Sequence, residues 1–482
     1  VSSDLPSGIH VGGEWRRGTS QEPDINPSDT RDVVGEFALG SAQDVRDAIA
    51  AARAAFAQWS VTPPQQRADL LDRIGTEILA RSAELGRLLS REEGKTLPEG
   101  VGEVVRAGQI FKFFAQQAVR LSGETGASTR PGITVEVTRE PVGVFGLITP
   151  WNFPIAIPAW KLAPAIAFGN CVVLKPSEFT PASATALVDI IARAGVPAGV
   201  VNLVNGSGAA VGAALVESPG LDGISFTGSV ATGRRIAQVA AARMLRVQLE
   251  MGGKNPLVVL DDADLELAVN CAVNGAYFST GQRCTASSRL IVDDRIHDRF
   301  VARMVERLQA LRIDSALKDG TDIGPAIHQA QLRKNLAAVE QARADGATIA
   351  TGGERLTRET PGWFMAPALV TGTRNDARLN SEEVFGPVAG VIRVRGYDEA
   401  LATANDTEFG LCAGICTASL KHASHFKRAS QSGLVMVNLP TAGLDYHLPF
   451  GGRKASSHGP REQGEAAREF YTQGKTTYLL PG

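Results

Sequence analysis

Cys284 sits in Phe278-Ser-Thr-Gly-Gln-Arg-Cys-Thr-Ala-Ser-Ser-Arg289, among glycine, alanine and hydroxylated residues that leave a thiol open to close approach. A free thiol titrates near ~8.5, so a few per cent is thiolate at neutral pH, and that fraction is a strong nucleophile toward carbonyl carbon. A lone cysteine is more often a small buried hydrophobe than a nucleophile. The segment acquires meaning only if the chain also supplies a base, an oxyanion donor and an acceptor for electrons.

Other stretches offer those parts. Asn152 lies in Pro150-Trp-Asn-Phe-Pro154, a proline-fixed loop after an apolar strand, where open α/β sheets bind ligands. Its amide can donate to an oxyanion, although turn asparagines more commonly bond their own backbone. Glu250 leaves an apolar strand end into Met251-Gly-Gly-Lys254. Partial desolvation there raises a carboxylate's pKa toward that of a general base, and the competing reading is a solvated strand-end acid. Lys175 and Glu178, in Val173-Leu-Lys-Pro-Ser-Glu178, are placed to hold the hydroxyls of an adenosine ribose, or to form a surface ion pair. Gly228 and Gly233 have phosphate-loop spacing, but Arg234-Arg235 stands where Lys-Ser/Thr would, so an ATPase is excluded. A strand–glycine–helix junction facing a pyrophosphate remains. Asn205-Gly-Ser-Gly-Ala-Ala-Val-Gly212 is a near miss to the dinucleotide fingerprint.

These residues need elements to hold them. From Val142 to Leu260 short apolar runs alternate with helical ones: 142–148, 171–174, 200–204, 223–226 and 247–249, with a helix over 182–194. That rhythm predicts a parallel sheet with helices on both faces, the nucleotide-binding architecture. A second α/β unit follows from Asn255, with strands at 256–260, 290–292 and 433–438 and helices over 294–311 and from His328. The first ~120 residues read as a short hairpin at 10–15 and then mostly helix, one of them capped by Ser41 with Asp44 three residues on. Thr134–Thr138 alternates like a half-exposed strand, either an edge hairpin or a pairing surface for another subunit. The uncharged stretch 141–160 matches a membrane span in length, but four prolines break it, predicting a buried strand and an irregular loop.

The 482 residues are too many for one core, which predicts two or three domains. A net charge of −2, from 49 basic and 51 acidic residues, gives no support for nucleic acid or an anionic membrane as partner. Five scattered cysteines read as a reduced intracellular protein, and Val1-Ser-Ser-Asp-Leu-Pro6 has no leader pattern, so a cytoplasmic location is expected. Cys412, Cys416, His422 and His425 have a spacing superficially like a zinc site, but the cysteines alternate along a strand-like run and no metal is expected.

Taken together, Pro150–Pro154, Trp160–Pro164, Lys175–Glu178, Phe226–Ser229, Glu250–Lys254, Gly281–Cys284, Glu383–Pro387, Asn438 and Pro449–Gly452 resemble the aldehyde dehydrogenase superfamily over nearly the whole chain. The resemblance implies Cys284 as nucleophile, Glu250 as general base and Asn152 as oxyanion donor. It implies NAD or NADP held by Ile148, Pro150, Trp151, Lys175, Ser177 and Glu178, with Gly208, Phe226, Gly228 and Ser229 near the phosphates and Glu383 and Phe385 at the nicotinamide end. It implies a cofactor domain (1–118 and 142–252), a catalytic domain (253–467) and a β oligomerisation arm (119–141 with 468–482), in a homodimer or homotetramer. Finer features, including Arg130–Arg139, Phe153–Trp160 and Gly281–Ser288, resemble α-ketoglutarate semialdehyde dehydrogenases. Phe153, Trp160 and Arg283 then line the substrate pocket, Arg283 as a carboxylate anchor or as a structural ion-pair partner. Trp160 stands where succinic semialdehyde enzymes usually carry arginine, which disfavours that substrate. Competing readings are a broad-specificity aldehyde dehydrogenase, a cofactor-free cysteine esterase, a silent binding protein and a CoA-acylating enzyme. The last is disfavoured by Glu250, which points to water as acceptor.

Overall fold

Five short apolar strands build the centre of the first sheet. In a computed structural model that describes residues 5–481, they run in parallel in the order Arg246–Glu250, Gly223–Thr227, Val144–Ile148, Cys171–Lys175 and Val201–Leu203. Val1–Asp4, read above for a leader, and Gly482 lie outside the described residues. Strands buried on both faces read as continuous apolar runs, which is why these were visible in the sequence. Chain order and sheet order reverse between Val144–Ile148 and Gly223–Thr227, creating the switch-point crevice where such sheets take ligands. Ser457–His458 pairs antiparallel on one edge, and Ile9–Val11 with Glu14–Arg16 closes the other.

Helices cover this sheet. Pro181–Arg193 begins with proline, whose missing N–H costs nothing in the first turn. Ser41 and Asp44 form a capping box on Ala42–Trp59, and Thr96 and Glu99 form another on Leu97–Ala118. Two expectations need correction. The first 120 residues also contain an antiparallel hairpin, Ser20–Ile25 with Val33–Leu39, whose first strand is polar and mostly exposed and so gives no apolar signal for the pair. The stretch after Val144–Ile148 is an irregular loop only to Ile155; a helix, Ala156–Ala167, then carries Trp160. Pro158 falls in its first turn, and tertiary burial of every residue outweighs the bond lost at Pro164.

The second sheet is parallel apart from one edge pair, in the order Thr348–Thr351, Ala368–Thr371, Val388–Val394, Ser287–Asp293, Asn255–Val259, Cys412–Cys416 and Leu434–Val437. A third sheet has Thr134–Pro141 in its middle, between Glu124–Ala127 and the C-terminal Thr472–Leu479. Thr134–Pro141 is therefore an inner strand, and the free edges belong to its neighbours. Just before that sheet Phe470 and Tyr471 return to the first core, with ring centroids 5.0 and 4.9 Å from Phe145. Among the described residues no helix is long and apolar enough to cross a membrane.

Candidate active site

The two large sheets meet at Glu250–Asn255. Glu250 ends the last parallel strand of the first sheet, and Asn255 opens the first strand of the second. Cys284 precedes Ser287–Asp293, the strand beside Asn255–Val259. The Asn255 amide ties the seam together: its Nδ2 donates to the carbonyls of Cys284 at 2.7 Å and Ala286 at 3.0 Å, and its Oδ1 accepts the Cys412 N–H at 2.9 Å. Before Cys284 the chain passes through three consecutive left-handed residues, Ser279, Thr280 and Gly281. A side chain at Gly281 would place Cβ 2.3 Å from the Gly386 oxygen, so glycine is required there. Glu99 holds the turn, accepting the Ser279 N–H and hydroxyl at 2.8 Å each.

Asn152 is 3% exposed, and its Nδ2 donates to the Gln282 carbonyl at 3.0 Å, two residues from the thiol. A buried pair fixes the loop: Lys95 Nζ donates to the Asn152 carbonyl at 2.6 Å and to Glu103 at 2.7 Å, while the other Glu103 oxygen accepts the N–H groups of Ile155 and Ala156. Above Cys284 opens a cavity of about 510 Å³, whose lining includes Phe153, Trp160, Arg283 and Phe450. Arg283 donates to Glu99 at 3.1 Å and Ser279 Oγ at 2.8 Å, so its head is engaged as an ion-pair partner.

The remaining candidates gather at the switch point. Ile148 ends one of the strands that flank it, and Pro150 and Trp151 follow. Phe226 lies near the end of the other, and Gly228 and Ser229 follow it, where Ser229 caps the Val230–Ala242 helix by accepting the Thr232 N–H. After the adjoining strand Lys175 pairs with Glu178 at 3.2 Å, Ser177 accepts the Phe179 N–H, and Gly208 N–H reaches Glu178 at 3.5 Å. Glu383 accepts the Gly253 N–H at 2.9 Å, and Phe385 packs edge-on to Trp151 at 5.3 Å. The zinc-like set is dispersed: Cys412 and Cys416 are buried in one strand, Cys412 Sγ donating to the Thr441 carbonyl, while His425 bonds the Tyr397 hydroxyl.

Residues 15–477 match the family model described as the aldehyde dehydrogenase family. The chain belongs to the aldehyde dehydrogenase family. Family relatives include the alpha-ketoglutaric semialdehyde dehydrogenase of Bacillus subtilis (strain 168), 40% identical over 98% of this chain and 97% of that protein. The alpha-ketoglutarate semialdehyde dehydrogenase of Haloferax volcanii is 42% identical over 98% of this chain and 99% of that one. Among solved structures, a betaine aldehyde dehydrogenase from Staphylococcus aureus in complex with NAD+ superimposes with a TM-score of 0.96 at 34% identity, covering 99% of this chain and 95% of that one.

Electrostatics in this aldehyde dehydrogenase differ from the sequence expectation at one point. Burial, followed by the Glu383 and Glu250 carboxylates, pushes the Cys284 thiol up to about 12 rather than leaving it near a free thiol's value. Glu250, 3% exposed, is itself pushed well above the ordinary carboxylate range, by burial and then by Glu462. The Ser457 hydroxyl donates to it, and Lys161 opposes the shift. Lys161 and Glu462 form a buried ion pair beside it, with Lys161 also donating to Ser225 Oγ at 2.8 Å. Neither was assigned a role from sequence, nor were Glu99, Glu103, Lys95 and Asn255. Lys161 left one signal: it is a lone charge following a long uncharged apolar run.

Proposed function

We propose that the chain oxidises an aldehyde to a carboxylate through a thiohemiacetal and a thioester on Cys284. The observation that carries this is the seam itself, where Cys284, the Asn152 amide and Glu250 come from three distant stretches to the junction of two sheets. Cys284, in its thiolate form, bonds the aldehyde carbon, whose carbonyl electron pair moves onto oxygen. The Asn152 N–H and the Cys284 backbone N–H hold the oxyanion, each such donor contributing roughly 3–4 kcal/mol. A nicotinamide dinucleotide held at Lys175, Glu178 and Ser229 would supply the acceptor for the hydride that the collapsing oxyanion expels. Glu250 then takes the proton of the water that attacks the thioester carbon, and the carbon–sulfur bond breaks to release the carboxylate and return Cys284 as thiolate.

The donor set fits NAD or NADP. Glu178 offers a carboxylate for ribose hydroxyls, and the capped N-terminus of Val230–Ala242 at the switch point suits a diphosphate. Lys175 is already paired with Glu178, which favours NAD over the phosphorylated cofactor. The Staphylococcus aureus relative with NAD+ supports this reading. The substrate we propose is a carboxylated aldehyde, with α-ketoglutarate semialdehyde first, as in the relatives' names. We further propose the division into a cofactor lobe (1–118, 142–252), a catalytic lobe (253–467) and a β arm (119–141, 468–482) that joins two or four copies.

The test follows nicotinamide reduction by absorbance with aldehydes of differing charge. Cys284→Ala should abolish turnover while cofactor still binds. Glu250→Gln should release one hydride per site and then stall as an acyl-enzyme visible by mass spectrometry. Ester cleavage without any nicotinamide reduction would replace this reading with a hydrolase.

A further inference from the structure

Three basic residues, Lys95, Arg106 and Arg283, line the cavity above Cys284, and two of them are spoken for. Lys95 is held by Glu103 and the Asn152 carbonyl, and Arg283 by Glu99 and Ser279. Arg106 is half-buried on Leu97–Ala118 and bonds only the Leu444 carbonyl. Among the described residues it has no ion-pair partner. Glu103 and Asp445 act on it only through space. A guanidinium stays charged, and a partly desolvated charge without a counter-ion is costly.

Two further residues of the cavity wall each carry a buried polar atom without a partner. The Trp160 indole is 6% exposed, and its Nε1–H is buried without an acceptor, whereas buried indoles normally find one. Gln463 is 1% exposed, with its amide oxygen buried and unpaired. Its backbone lies at φ 59°, ψ 171°, a region essentially reserved for glycine. A glutamine at a position where glycine would relax the chain points to a role for its side chain. Rotation about its terminal bond exchanges the amide oxygen for NH₂.

The geometry points to a subsite for an α-keto carboxylate, with Arg106 taking the carboxylate and the Trp160 N–H and Gln463 amide taking the neighbouring keto oxygen. It rests on the aldehyde-oxidising reading above and specifies what that site accepts. A cationic aldehyde fits the wall poorly. The Phe153 face is already covered by Lys95 at 3.8 Å, Trp160 packs on Phe450 at 5.6 Å, and Arg106 repels positive charge.

The test compares kcat/KM for α-ketoglutarate semialdehyde, glutaric semialdehyde, pentanal and betaine aldehyde, each as a ratio within one variant so that altered folding cancels. Arg106→Gln should lower the ratio of glutaric semialdehyde to pentanal about tenfold or more, the loss expected for a charge-assisted bond. Trp160→Phe and Gln463→Gly should lower the ratio of α-ketoglutarate semialdehyde to glutaric semialdehyde about tenfold. Gln463→Gly should also raise Tm, because glycine relieves the backbone. Unchanged ratios, or wild-type preference for betaine aldehyde over both acids, would overturn the subsite while leaving aldehyde oxidation intact. If no aldehyde is oxidised, the oxidising reading itself fails. The subsite is then judged by calorimetry with α-ketoglutarate, whose binding should weaken in Arg106→Gln; no binding to the wild type overturns it.

Discussion

Cys284 governs the pH behaviour of the site. A thiol raised to about 12 by burial and two carboxylates is overwhelmingly protonated at neutral pH, and its thiolate fraction climbs about tenfold per pH unit below that value. Alkylation of the free protein by iodoacetamide should therefore accelerate about tenfold per unit from neutral to mildly alkaline pH. A rate that levels off near pH 7 would show a thiolate already formed. Glu250 shifts the same way, and because a base works only when ionised, thioester hydrolysis should also gain with rising pH. Both groups thus call for an alkaline optimum.

At the scale of elements the helix Leu97–Ala118 organises the site from behind. Glu99, Glu103 and Arg106 are spaced four and three apart, on one face of a helix. Glu99 completes its own capping box and also holds the Ser279 turn; Glu103 and Lys95 clamp the Asn152 loop. Glu103→Gln leaves Lys95 with a weaker partner and should reduce kcat about ten- to a hundredfold, with cofactor affinity little changed in a fluorescence titration. The preceding helix, Ser82–Glu93, ends on a carboxyl that is 1% exposed and has neither oxygen bonded. Burial, reinforced by Glu103 and Glu99, raises Glu93 to about 8. A carboxyl raised on folding contributes stability that is complete below its unfolded value near ~4.5 and is lost as pH rises to its folded value. Glu93→Gln should therefore exceed the wild type in Tm at pH 8.5 by an amount worth a few kcal/mol, and the gap should close toward pH 4.5. Little of this helix face could be read from the chain. The parallel strands announced themselves because burial on both sides makes them continuously apolar. Glu99, Glu103, Lys161 and Asn255 look like ordinary solvated residues until partners some thirty to three hundred positions away are brought against them. Trp160 was assigned to a loop because prolines outweigh burial in a local reading, while in the fold burial prevails.

On the scale of the whole molecule, the C-terminal run at the edge of the small third sheet carries three consecutive exposed apolar side chains. Tyr478, Leu479 and Leu480 are 60%, 59% and 66% exposed, and Thr472–Leu479 offers an unpaired edge. Replacing Tyr478 and Leu480 together by Asp should shift the sedimenting species from a dimer or tetramer toward a monomer. An unchanged sedimentation coefficient would place the joint elsewhere. Only a short connector separates Glu250, at the end of one sheet, from Asn255, at the start of the other. Because one short connector ends with the proposed base Glu250 on one side and begins on the other with the Asn255 amide that holds the Cys284 carbonyl, the two halves are not interchangeable cassettes. A hybrid built from the front of this chain and the back of a distant cousin inherits both groups yet misplaces one against the other. Such grafts should bind dinucleotide well and turn over poorly, and diversification of this architecture is expected to proceed through the cavity wall and not by exchange of halves.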